Sequence, residues 1–348
     1  MLIQKPEVSI VADSISAGNK RITTFKLRYW RPIHSELMTH RDFSRNAGSS
    51  RARPVKAVAQ GIIDNPWGPR EFGANQAGMQ SAGEHTAMVD LPKHHWYAYI
   101  AFLNERGALS ACEANDNYES IVNGYTTSMQ ADPKDYWEFL AWFNGTAALA
   151  YAEAGFHKQV ANRITEPFGY IDVLVTATKY RNFFTLRVHP DAQPEIQDLA
   201  TLMQEAMSTS VPNILRHGEW HLPFIDTETS EQVTDYIENG LHRSHAFLAG
   251  VPDQDIQTQI EICVSCARCA RVSYKMYDGS KCIIEADLEL YSHLLVSRPL
   301  HASPAEHQAT PDKFVGGSGE IYANPEKSGN LGAGWIQYRK LLPNEYVG

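Results

Sequence analysis

The chain has 348 residues, 43% of them hydrophobic and 20% charged, with a formal net charge of -9. That balance supplies a large core and excludes a disordered or fibrous chain. It also argues against a general affinity for nucleic-acid backbones, which call for a basic face, so any nucleotide handled here is expected to be a small molecule. No run of about 20 apolar residues marks a membrane span. Residues 1–7 lack the apolar core of a signal peptide, so a cytoplasmic location is expected. Five cysteines without an export signal fit reduced thiols better than a disulfide framework.

Residues 8–31 alternate and carry Val8, Ile10, Ile22, Thr24, Phe25, Leu27 and Tyr29, which predicts strands. A polar, arginine-rich loop is expected over 39–53. The Gly-, Pro- and Asn-rich stretch 54–80 reads as irregular surface, either a cover over a substrate or a plain long loop. From about 82 to 156 the pattern is helical, with Trp96, Ile100, Leu103, Trp137, Leu140, Trp142 and Leu149 forming apolar stripes that belong to a core. A helix is predicted after Pro194, carrying Ile196, Leu199, Met203, Ala206 and Met207, with Asp191 as its cap. Residues 207–250 give few signals. The last third reads as a strand over 260–274, a helix with Ile284, Leu288, Tyr291 and Leu295 on its apolar face, then a loop from His301. Residues 316–334 are rich in Gly, Ser and Asn and read as a flexible or ligand-adjacent loop.

The densest chemistry lies in His40, Arg41, Ser44, Arg45, Asn46, Ser49, Ser50, Arg51 and Arg53. Four guanidiniums, three hydroxyls, an amide and an imidazole fall within fourteen residues. Arginine binds phosphate bidentately, serine hydroxyls add adjustable donors, and Ala47 and Gly48 let backbone N–H groups approach an anion. On composition alone a solvated basic loop explains it equally well. Cys263, Cys266, Cys269 and Cys282 offer the four thiols of a structural zinc, but free cysteines are common in cores and no metal is expected. His217 and His221 lack the glutamate of a zincin helix, and His94-His95 reads as surface. Neither a G-x-G-x-x-G fingerprint nor a Walker loop is present.

Three blocks together carry a resemblance. His40-Arg41, seven residues, Ser49, one residue and Arg51 form the first. Ala161-Asn162-Arg163-Ile164 with Pro167, Asn182 to Arg187, and Ala192 to Ile196 form the second. Ala267 to Tyr274 with His301-x-Ser303-Pro304-x-Glu306-His307 forms the third. They resemble the flavin-dependent thymidylate synthases, with the third block, which opens that family's domain, placed last. Joining the region after His307 to the region before Thr23 restores the family order, as in circular permutation.

The resemblance implies one α/β (α+β) domain, with a mixed sheet flanked by long helices. Residues 23–53 and 157–210 would form the nucleotide- and flavin-binding core, 54–156 a helical insertion, and 258–310 the displaced block. It implies a homotetramer that methylates deoxyuridylate reductively at C5, using FAD, NADPH and methylenetetrahydrofolate. FAD contacts would come from Thr39, His40, Arg41, Asn182, His301, Ser303 and Glu306. Nucleotide contacts would come from Glu36, Ser49, Ser50, Arg51, Arg163 and Arg187, with Arg187 catalytic because a cation there stabilises the N3-deprotonated ring. Taken singly, Arg163 and Arg187 read as salt-bridged helix residues, and His301-x-Ser303-Pro304 as a turn. Thr39, Ala47, Thr176 and Asp191 replace residues the family places near the flavin, and Glu36 stands for a common glutamine. Two alternatives follow: one-carbon transfer giving a hydroxymethylated or otherwise modified base, and a nucleotide-binding protein without catalysis.

Overall fold

The computed structural model describes residues 4–274, 283–316, 321–343 and 345. Strands β1 (Glu7–Ser16) and β2 (Arg21–Trp30) pair as an antiparallel hairpin, as the alternation predicts. Short helix α1 (His34–Leu37) leads into strand β3 (Ser44–Ala47), so the 39–53 segment contains a strand rather than loop alone. Helix α2 (Val55–Asp64) then occupies part of the stretch expected to be irregular. Val55, Ala59 and Ile62 place a helical stripe inward there, a signal outweighed in the sequence by the Gly and Pro that follow. Helix α2 packs on the later helix of residues 133–153 at Gly145, where a Cβ would fall 2.6 Å from the Ile63 side chain.

Strand β4 (Val89–Asp90), helices α3 (Trp96–Glu105) and α4 (Ala111–Val122), strand β5 (Gln130–Ala131) and helix α5 (Pro133–Glu153) follow. Helix therefore begins at Trp96, not near Ala82. Leu91, Trp96, Tyr99, Phe102, Ala131 and Phe139 form a core of their own. After α6 (Lys158–Ala161), strand β6 (Tyr170–Ala177), α7 (Arg181–Arg187) and α8 (Pro194–Thr209) complete the other half of the sheet layer. Pro194 stands in the first turn of α8, but the cap is Gln193 without a side-chain bond, and Asp191 does not cap it. Proline needs no N–H at that position and pre-sets φ, which starts the helix without an acidic cap.

Strand β7 (Asn213–Leu215) and helix α9 (Thr227–Glu238) lie in the stretch 207–250, where few signals are legible. The stretch read as a strand over 260–274 is instead helix α10 (Ile256–Tyr274). Ile256, Ile260, Cys263, Val264, Ala267 and Ala270 recur at three- and four-residue steps, a helical period masked by the β-branched residues. Helix α11 (Ile284–Tyr291), strand β8 (Ala309–Pro311) and strand β9 (Trp335–Gln337) close the chain.

The main sheet runs β3-β6-β2-β1-β7, antiparallel except for the parallel β1–β7 pair. The fold is thus α/β with a mixed sheet flanked by helices. One face carries Phe25, Leu27, Tyr29, Val173, Val175 and Ala177 against Phe183 of α7 and Ile196, Leu199 and Met203 of α8. Helix α10 covers β3 and β6 on the opposite face, where Asn46 Nδ2 donates to the Cys269 carbonyl at 3.3 Å.

Asp287 of α11 has a side chain with 0% exposure and receives Arg268 Nε at 3.0 Å and Arg271 Nη2 at 2.8 Å. Removing the carboxylate leaves two guanidiniums without their shared partner. Asp287→Ala is therefore expected to lower stability by about 3–5 kcal/mol in urea denaturation, and an unchanged midpoint would show the triad to be dispensable.

Candidate functional site

Three groups predicted from two separate parts of the sequence meet at the end of α7. Arg187 donates through Nη1 to the Glu36 carboxylate and through Nε to His40 Nε2 at 3.1 Å. The His40 ring is wedged between Phe43 and Phe183, with centroids 5.8 and 4.8 Å away. Burial, with Arg187 and Arg45 adding repulsion, lowers its pKa, so His40 is neutral and accepts at Nε2. Thr39 turns its hydroxyl back to the Glu36 carbonyl at 2.7 Å. Arg45 of β3 donates to the carbonyls of Met38 at 3.0 Å and His40 at 3.2 Å.

At the other end of β3 the serine segment is clamped. Gly48 N donates to the Asp172 carbonyl at 2.7 Å, and a Cβ at Gly48 would lie 3.2 Å from that oxygen. Asn162, fully buried, donates through Nδ2 to the carbonyls of Ser50 at 2.7 Å and Arg53 at 2.9 Å. Its Oδ1 is buried without a partner among the described residues. Ser49 Oγ accepts from Arg51 N at 3.3 Å, and the Arg51 side chain is exposed. Around this turn the guanidiniums outnumber the carboxylates. Arg31 and Arg163 share Glu166 at 3.2 and 3.0 Å. Arg53 bonds the Tyr170 hydroxyl at 2.6 Å and lies over that ring, as does Arg28. Burial lowers the Arg31 pKa, and Arg163 and Arg53 push the same way while Glu166 opposes.

Tyr29 and His34 both lie in the field of Arg31 and Arg45. The Tyr29 hydroxyl is 2.7 Å from His34 Nδ1, and burial with Arg31 and Arg45 nearby pushes the His34 pKa down to about 4. Burial raises the phenol well above its usual range, so the phenol O–H donates to a neutral imidazole and leaves Nε2–H as an outward donor. A four-residue strand separates the two ends by about 10–13 Å.

The segment from His301 to His307 lies beside this line. Glu306 pairs with Arg339 and contributes to the field at Arg45. Arg41, Asn182, His301 and Ser303 are exposed, and none hydrogen-bonds to the Arg187 cluster among the described residues. Arg31 and His34 were not singled out in the sequence, although the Arg-Pro-Ile-His run directly after β2 places both where the strand delivers them. Arg45 and Arg53 were noted only for density.

Cys263, Cys266 and Cys269 are buried in α10, and burial pushes all three thiols up, Cys263 to about 12. Cys282 lies outside the described residues. Among the described residues no three His, Cys, Asp or Glu side chains are grouped for a metal ion. His94 is exposed, whereas His95 is half-buried against Tyr136.

No protein-family model and no curated protein matches the sequence. Among solved structures, the chain is similar to a UMP/dUMP methylase, PolB from Streptomyces cacaoi, bound with 5-Br UMP. The identity is 16%, over 59% of this chain and 90% of that one, with a TM-score of 0.37. The same enzyme bound with 5-Br dUMP gives 15% identity over 60% and 92%, with a TM-score of 0.36.

Proposed function

We propose that this chain binds a pyrimidine nucleoside monophosphate along β3 and transfers a one-carbon unit to C5, converting deoxyuridylate to thymidylate. The observation that carries this reading is the meeting of Arg187 with Glu36 and His40, which joins two separate sequence blocks at one point. The phosphate is assigned to the end formed by Ser49, Ser50, Arg51, Arg53, Arg163 and Arg31, where cations are in excess. The ring is assigned to Arg187.

Arg187 uses one N–H on His40 and one on Glu36. Three of the five donors of a guanidinium remain for a ring carbonyl and a deprotonated N3. A positive charge held there favours the electron-rich ring whose C5 attacks the one-carbon unit. Glu36 and neutral His40 position the fork, and the His34 Nε2–H suits a neutral oxygen of sugar or base.

The donor set at the exposed positions fits a flavin dinucleotide: Arg41 for phosphate, Asn182 for a ring amide, and His301 and Ser303 from the displaced block. When bound, FAD reduced by NADPH would supply the hydride that takes methylene from methylenetetrahydrofolate to methyl. A homotetramer and a circularly permuted order, with 54–156 inserted and 258–310 placed against β3 and β6, belong to the same proposal. One observation favours a hydroxymethylated product as the second reading. Thr39 turns its hydroxyl to Glu36, so the family's cation at that position has no replacement.

Titration with deoxyuridylate and with deoxyuridine tests the phosphate assignment. The nucleotide is expected to bind at least about 100-fold more tightly. Arg53→Ala and Arg163→Ala should each erase part of that difference and leave deoxyuridine affinity unchanged. Equal affinity for the two ligands would remove the phosphate from this end.

A further inference from the structure

We propose that the chain carries a second ligand site, for a planar aromatic anion, in a cavity whose lining includes none of the groups assigned above to the nucleotide. The cavity holds about 1030 Å³ and lies between α10, α11 with its following turn Ser292–Val296, and the turn Tyr338–Leu341. Small-molecule sites occupy about 300–1,000 Å³, are mostly apolar, and carry a few convergent polar groups.

The walls favour a flat ring. Trp220 meets Tyr338 edge to face at 5.8 Å, and Phe247 tilts across Tyr291 at 5.3 Å. Trp220 and Phe247 are only half-buried although both pack on the α9–α11 core, which leaves ring surface to the cavity. Flat rings stack offset or edge-on against such walls.

The polar groups narrow the class. Tyr338 accepts from Gln259 Nε2 at 3.2 Å and bonds the Tyr291 hydroxyl at 2.7 Å. Burial keeps both phenols protonated, so this wall presents neutral hydrogen-bonding groups. Arg298, exposed at the rim, is the one charged group among the described lining residues. In a chain of net charge -9, a guanidinium at an apolar mouth with no carboxylate among the described lining residues selects a carboxylate, sulfonate or phosphate tail. Cys263 bonds the same polar wall through Gln259 but is held protonated by burial, so the ligand is bound rather than attacked.

The test uses 1-anilinonaphthalene-8-sulfonate, a flat ring system with one anionic group, followed by fluorescence on the full chain. One saturable site per chain is expected, not displaced by deoxyuridylate. Arg298→Glu removes the rim charge, and Val296→Trp fills the mouth from a position 48% exposed. Each is expected to weaken binding about tenfold or more with circular dichroism and melting temperature unchanged. The uncharged N-phenyl-1-naphthylamine should bind about tenfold less tightly than the sulfonate. Absence of saturable binding, displacement by deoxyuridylate, or affinity untouched by both variants would overturn the site. Equal affinity for the uncharged probe would overturn the anion preference.

Discussion

Arg187→Ala is expected to lower kcat/KM for deoxyuridylate conversion by about 10²–10³-fold while leaving near-UV circular dichroism unchanged. The side chain is 20% exposed and its partner Glu36 23% exposed, so the loss leaves no fully buried charge and the fold survives. What disappears is the cation at the ring. Arg187→Lys should recover little, because a point-charge ammonium cannot bond Glu36, His40 and the ring in one plane. Glu36→Gln is expected to reduce turnover less than Arg187→Ala, and the double variant should be no worse than Arg187→Ala alone, since both act through one group. Full activity in Arg187→Ala would contradict the assignment of the ring to this cluster.

Acid is expected to begin destabilising the protein above the pH at which carboxylates titrate. Two histidines sit in a buried chain of hydroxyls on the α10 side of the sheet. His221 is 2.9 Å from Ser14 Oγ through Nδ1 and 2.8 Å from Thr24 Oγ1 through Nε2. Thr24 reaches Thr176 at 2.7 Å, and Thr176 reaches His307 Nδ1 at 2.8 Å. His307 Nε2 is buried without a partner among the described residues. Burial lowers both pKa values to about 3, His221 adding to the effect at His307 and Asp13 opposing it at His221.

Both imidazoles are neutral in the folded state and take up protons near pH 6.5 when unfolded. Their contribution is therefore complete above about pH 6.5 and is lost as pH falls toward about 3, at about 1.4 kcal/mol per pH unit for each ring. At about pH 4.5 the two together have removed about 5–6 kcal/mol, comparable to the whole stability of many domains. Urea denaturation at pH 7.5 and pH 5 should show this fall, and His307→Asn should roughly halve its slope. A midpoint independent of pH across that window would contradict the buried neutral pair.

The hairpin β1–β2 and the helix after Pro194 were legible because period-two alternation and a proline at a helix start each act within a few residues. Helix α10 was misread for the opposite reason. Its valines and isoleucines suit strands locally, and only its packing against β3, β6 and α11 selects the helical period. The same holds for α2, whose apolar stripe gains meaning from Gly145 on α5, about 80 residues away. In the site, Arg187, Glu36 and His40 could each be named from the sequence, but their contact depends on how α7 returns across the edge of the sheet. Arg31 and His34 were missed because a guanidinium crowded by Arg163 and Arg53, and an imidazole held neutral by burial beside Arg31 and Arg45, are properties of the folded neighbourhood and not of spacing.

Mass spectrometry of the nucleotide after anaerobic incubation of the chain with deoxyuridylate, methylenetetrahydrofolate, FAD and NADPH tests the central claim most directly. The account predicts a product of thymidylate mass, formed by the native chain and lost in Arg187→Ala. Recovery of unchanged deoxyuridylate from a folded protein that binds it would contradict the catalytic reading and leave a nucleotide-binding protein.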